Sequence, residues 1–202
     1  MDLAFSKEEI AFREEVRQFF RDNVPPDTRR KLVEGRHLSK QEMIDWWRIL
    51  NKKGWGVSHW PKEYGGTGWS SVQHYIFNEE LQMAPAPSPL AFGVSMVGPV
   101  IYTFGNEAQK KKYLPDLLSG KSIGLFAITE PDAGSDVAAM KTTAKRSGTS
   151  FSLNGTKIWI TNATVADSGV IFAYTDRARK HHGMSAFYVD LNQPGLSRRD
   201  LD

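Results

Sequence analysis

The residues best suited to chemistry lie in one short stretch, Thr129-Glu130-Pro131-Asp132-Ala133-Gly134-Ser135-Asp136. It combines hydroxyls at Thr129 and Ser135, an unobstructed backbone at Gly134, and carboxylates at Glu130 and Asp136. Hydroxyls and bare amides in a loop can converge on an anionic or heteroaromatic ligand, as backbone nests do. The carboxylates invite an acid–base role, which needs a group within hydrogen-bond reach of the reacting atom. A second stretch, Lys157-Ile158-Trp159-Ile160-Thr161-Asn162, adds an indole and a further hydroxyl. Taken singly, Thr161 and Ser135 are ordinary strand and turn residues, and the alternation of Trp159 with Ile160 favours core packing for one of them.

The elements that must position these groups read as strands. Residues 124–128 form an apolar run that ends at Pro131, whose missing amide would break a ladder. Asn154-Gly155, between Phe151 and Leu153 on one side and Ile158 and Ile160 on the other, carries the hairpin signal of a type I′ turn, so residues 157–161 are expected as a strand. Further strands are expected at 140–145, 151–153, 170–175 and 184–190, a density that argues for a β-barrel or sandwich.

Upstream of Lys121 the periodicity is helical. Ser6 and Glu9 form a capping box with Phe5 and Ile10 as its staple, and that helix should stop before Pro25-Pro26. Ser39 and Glu42 repeat the device, with Met43, Trp46, Trp47 and Leu50 on one face. A third helix is expected at 71–83, a buried one at 90–104, and a fifth capped by Asn106 with Gln109 at its third position. Gly65-Gly66-Thr67-Gly68 reads as a turn and not a phosphate loop, since no Gly-Lys-Ser/Thr follows it. The expected organisation is α+β, with a helical domain over 1–121 and an antiparallel, barrel-like β-domain over 122–202.

The Thr-Glu-Pro-x-Ala-Gly-Ser-Asp loop at 129–136 and the Asn-Gly-x-Lys-x-Trp-Ile-Thr-Asn run at 154–162 together resemble the acyl-CoA dehydrogenases, FAD enzymes that desaturate acyl-CoA thioesters. The Gly-Asn-x-x-Gln-Lys-x-x-Tyr-Leu-Pro-x-Leu-x-x-Gly run at 105–120 belongs to the same pattern. The resemblance implies that Thr129 and the Ile128 backbone meet the flavin pyrimidine and Thr161 meets N5. Trp159, with Ile160 beside it, would cover one ring face. Gly134 and Ser135 would lie along the pyrophosphate, and Ser135 would also touch the CoA of the substrate. Phe126 stands where the family often has tyrosine, which leaves only a backbone contact there. Glu130 and Asp136 would be structural. The catalytic base would be a glutamate of a C-terminal helical domain beyond residue 202, and the chain would hold half an active site, incomplete also in its β-domain. Electrons would pass to an electron-transferring flavoprotein, and the full-length protein would be a homo-oligomer, dimer or tetramer. Within the family, the first half looks most like bacterial pimeloyl-CoA-type large subunits and the second half like glutaryl-CoA dehydrogenases. Two other readings stay open: a non-catalytic relative that uses the scaffold for binding, and a flavin oxidase of the same fold.

Composition bounds these readings. The chain has 202 residues, 40% of them hydrophobic, enough for one or two cored domains. It contains no cysteine, which excludes disulfides, thiolate zinc sites and iron–sulfur clusters, so redox chemistry would need an organic cofactor. The net charge is +3, and Lys110-Lys111-Lys112 reads as a solvated helix face in the absence of any nucleic-acid motif. The apolar region 90–104 is interrupted and too short to span a bilayer, and Met1-Asp2-Leu3 opens neither a secretory signal nor a transit peptide, so a cytoplasmic location is expected. His37, His59, His74, His181 and His182 lack metal-ligand spacing.

Overall fold

The computed structural model describes residues 4–88 and 92–200. The expectations that fall on Met1-Asp2-Leu3 and on Leu90 lie outside the described residues. The chain divides into two compact units, residues 1–91 with 106–121 and residues 92–105 with 122–202.

The first unit is helical, and its helices begin where the sequence offers caps. Helix α1 (Lys7–Asn23) starts at the reciprocal Ser6/Glu9 box, in which the Ser6 amide donates to the Glu9 carboxylate at 2.7 Å and the Glu9 amide to the Ser6 hydroxyl at 3.2 Å. Helix α2 (Pro26–Val33) was not expected from the sequence. The Pro25-Pro26 pair does end α1, but Pro26 then takes the first position of a new helix, where its missing amide costs nothing and its fixed φ is already helical. Helices α3 (Lys40–Lys52) and α4 (Ser71–Met83) start at the Ser39/Glu42 and Ser70/Gln73 boxes. Val16, Phe20, Trp46, Leu50, Phe77 and Leu81 form the core, each worth about 1.5–3 kcal/mol of burial. The buried indoles keep partners: Trp46 Nε1 donates to the Pro87 carbonyl and Trp47 Nε1 to the Leu118 carbonyl, both at 2.8 Å.

In the second unit, a π-helical turn at Gly93–Val97 leads into α5 (Gly98–Phe104), where a single helix was expected. Helix α6 (Glu107–Leu118), back in the first unit, begins at the Asn106/Gln109 box. The sheet of the second unit has five strands: β1 (Gly124–Ala127), β2 (Thr143–Ser147), β3 (Ser150–Asn154), β4 (Ser168–Tyr174) and β5 (Met184–Asp190). β4 pairs parallel with β1, from Gly124↔Ser168 to Ala127↔Ile171, and antiparallel with β5 along its whole length. β2 and β3 form an antiparallel hairpin that meets β4 only at Thr143↔Tyr174. The α+β class holds, but the sheet is mixed where an antiparallel one was expected.

Two local expectations, the turn at Asn154-Gly155 and the strand at 157–161, are overturned. The hairpin turn lies at Gly148-Thr149, because Thr143↔Asn154 makes Asn154 the end of β3 and not the start of a turn. Gly155 is glycine for closeness: a Cβ there would sit 2.2 Å from the Thr142 hydroxyl. Residues 157–161 form no strand, since Trp159 (φ 59) and Asn162 (φ 67) take left-handed conformations that end any extended run. No described helix is long and apolar enough to cross a membrane.

Candidate functional site

The loop after β1 is closed on itself. The Glu130 amide donates to the Ala133 carbonyl at 2.9 Å and the Ala133 amide returns to Glu130 at 3.1 Å, which leaves Pro131 and Asp132 at the tip. The 157–162 segment docks on this loop through Ile158, whose amide donates to the Thr129 carbonyl at 3.1 Å while the Thr129 hydroxyl donates to the Ile158 carbonyl at 2.5 Å. Trp159 is therefore held next to Thr129.

Under the loop lies a buried ionic anchor. Glu130 accepts hydrogen bonds from the Thr142 hydroxyl and amide, from the Lys141 amide and from Lys157 Nζ, the last at 2.9 Å. Burial alone would raise its pKa, but these donors, the Thr142 hydroxyl foremost, outweigh it and hold the carboxyl at about 2. Burial pulls Lys157 down from its ordinary value, and the Glu130 carboxylate opposes that pull. Lys157 Nζ also donates to the Ile128 carbonyl at 3.0 Å. Lys157 stands in the second motif but was given no role from sequence, and Thr142 was not singled out at all. The signal available was Glu130 itself, an acid between an apolar run and a proline, which requires a cation or several donors once buried.

Around this anchor the expected site residues take distinct positions. Phe126 is half-buried with its ring 5.1 Å from that of Phe172, and Ile128, Thr129 and Ile160 are half-buried. Gly134, Ser135 and Thr161 are exposed. Trp159 is 74% exposed, so the expectation that strand alternation buries it or its neighbour in a core is not met for the indole. A tryptophan both left-handed and exposed is an uncommon combination, since neither backbone preference nor burial favours it. Among the described residues, the amides of Thr129, Gly134, Ser135, Trp159, Ile160 and Thr161 donate to no protein acceptor. Asp136 is spent on the Ala138 amide at 3.1 Å. The unspent donors beside an open indole face suit a planar, electron-poor heteroaromatic ring with an anionic tail. His59 and His74 stack on each other, centroids 4.0 Å apart, and burial first and His59 second push His74 below its ordinary pKa. No three metal-ligating side chains cluster among the described residues.

Residues 6–121 match the model of the acyl-CoA dehydrogenase N-terminal domain, and residues 125–202 that of the middle domain. The chain belongs to the acyl-CoA dehydrogenase family. It is 37% identical over 207 residues to the glutaryl-CoA dehydrogenase of Desulfococcus multivorans, covering 100% of this chain and 52% of that protein. Among solved structures it is similar to the Tcur3481-Tcur3483 steroid ACAD, with a TM-score of 0.84 and 37% identity over 96% of this chain and 50% of that one. It is also similar to PigA with FAD and proline, with a TM-score of 0.78 and 30% identity over 96% of this chain and 51% of that one. The chain spans about half the length of the curated acyl-CoA dehydrogenases it matches.

Proposed function

We propose that this chain supplies the flavin-edge half of an acyl-CoA dehydrogenase active site, binding FAD between the 129–136 loop and the 157–162 segment. One observation carries the reading: among the described residues the Thr129 and Trp159 to Thr161 amides have no protein acceptor, beside an indole that is 74% exposed. Support comes also from PigA, a relative solved with FAD. When bound, FAD supplies the two-electron acceptor for oxidation of the Cα–Cβ bond of an acyl-CoA thioester.

The chain's own residues orient and polarise. The Thr129 hydroxyl is committed to Ile158, so Thr129 serves the pyrimidine edge through its amide, alongside the Ile128 backbone. Thr161 keeps a free hydroxyl for N5, and Trp159 with Ile160 shields one ring face from water. Gly134 and Ser135 offer amides to the pyrophosphate, Ser135 adding its hydroxyl toward the CoA of the substrate. Phe126 lines the pocket through its backbone. The family resemblance assigns proton abstraction at Cα to a glutamate of a C-terminal helical domain, and of the two carboxylates in the loop Glu130 is locked in its anchor and Asp136 is bound to Ala138. A further domain or a second subunit completes the site, in a homo-oligomer that passes its electrons to an electron-transferring flavoprotein. Anaerobic addition of a glutaryl-, isovaleryl- or short-chain acyl-CoA to the FAD-loaded protein, together with the domain or subunit that supplies the base, should bleach the visible flavin bands. A flavin left oxidised by all of them contradicts the dehydrogenase reading.

A further inference from the structure

We infer that Lys157 is a positioning residue for the flavin edge: anchored on Glu130, its buried ammonium grips the Ile128 carbonyl, fixes the Ile128–Thr129 peptide and polarises that peptide's free amide toward the ligand. The inference rests on the FAD reading above and assigns part of that site's tuning to a residue outside it.

Lysine carries three donors and no acceptor. At Lys157 two of them go to Ile128 O at 3.0 Å and Glu130 Oε1 at 2.9 Å, and Met140 Sδ lies 4.0 Å from the same nitrogen. The side chain is 10% exposed and that of Glu130 5%. Stability does not account for such a pair, because replacing a buried ion pair by apolar groups of the same shape is often neutral or stabilising. Its distinctive product is geometric and electrostatic. The ammonium bonds one end of a single peptide, the Ile128 carbonyl, while the other end of that peptide, the Thr129 amide, has no protein acceptor. Hydrogen bonds in series polarise one another, so a cation on the carbonyl makes the opposite N–H a stronger donor. A donor aimed at an edge that gains negative charge on reduction favours the reduced form. The same residue also ties the two halves of the site, since Lys157 precedes Ile158, the residue bonded to Thr129.

The test compares wild type, Lys157→Met and the double variant Lys157→Met/Glu130→Gln, in the protein as its gene encodes it, by thermal unfolding, FAD affinity and the reduction potential of bound flavin. The single variant should lose stability, because it strands a buried carboxylate. The double variant should regain stability yet bind FAD about tenfold more weakly, with a more negative flavin potential. A double variant with wild-type affinity and potential overturns the inference and leaves the FAD reading standing. Wild-type protein that takes up no FAD overturns both. Should neither variant fold, amide exchange in wild type decides: FAD should slow exchange at the Thr129 amide, the donor aimed at the ligand, and unchanged exchange there overturns the inference.

Discussion

Thr129 and Ile158 are bonded to each other twice, amide to carbonyl at 3.1 Å and hydroxyl to carbonyl at 2.5 Å. This pair, and not a β-ladder, joins the loop of free amides to the segment that carries the indole. Thr129→Val keeps the shape and removes the second bond, leaving a half-buried carbonyl without its donor. Unfolding in urea should show a loss of about 1 kcal/mol, and FAD affinity should fall with it.

Trp159 contributes little to the fold, being exposed and left-handed. Trp159→Ala should leave unfolding free energy within about 0.5 kcal/mol of wild type while weakening flavin retention through desalting. Unchanged retention would mean that no ring stacks on the indole.

The acid limb of stability should report Glu130. Its folded value of about 2 lies below the ordinary 4.5, so its contribution is complete above the ordinary value and drains away as pH falls toward 2. Glu130→Gln should cost about 3–5 kcal/mol at neutral pH by stranding the Lys157 charge, and should flatten the curve between these limits. Glu42, held at about 2 by Lys31 and the Ser39 cap, Glu79, lowered by Arg13, and Glu80, lowered against its burial by Arg17 and Arg13, supply the slope that remains.

Lys180 sits at φ 50, ψ −132, a conformation that glycine adopts and other residues resist. It is exposed, so its side chain has little packing to lose. Lys180→Gly should raise the unfolding free energy by about 1 kcal/mol, measured by chemical denaturation.

Much of the fold was legible because its signals are local. Ser6/Glu9, Ser39/Glu42 and Asn106/Gln109 each cap the helix they announce, and the boundaries of α4 and β5 coincide with their apolar patterns. Failures came where a local signal had two outcomes. Pro26 can end one helix or begin the next, and Asn154-Gly155 can turn a hairpin or close a strand against Thr142. The parallel β1–β4 pairing depends on partners more than forty residues apart, as in Gly124↔Ser168, which no window of sequence reveals. The loop residues and Lys157 were visible as motif positions, whereas the role of Lys157 was not: its meaning lies in reaching Ile128 and Glu130 across the fold.

The most direct test is calorimetric titration of FAD into the flavin-stripped protein. The account predicts saturable, stoichiometric binding that quenches flavin fluorescence and weakens in Trp159→Ala. A protein that produces no binding heat and no quenching would contradict it, and the open indole and free amides would then belong to another ligand.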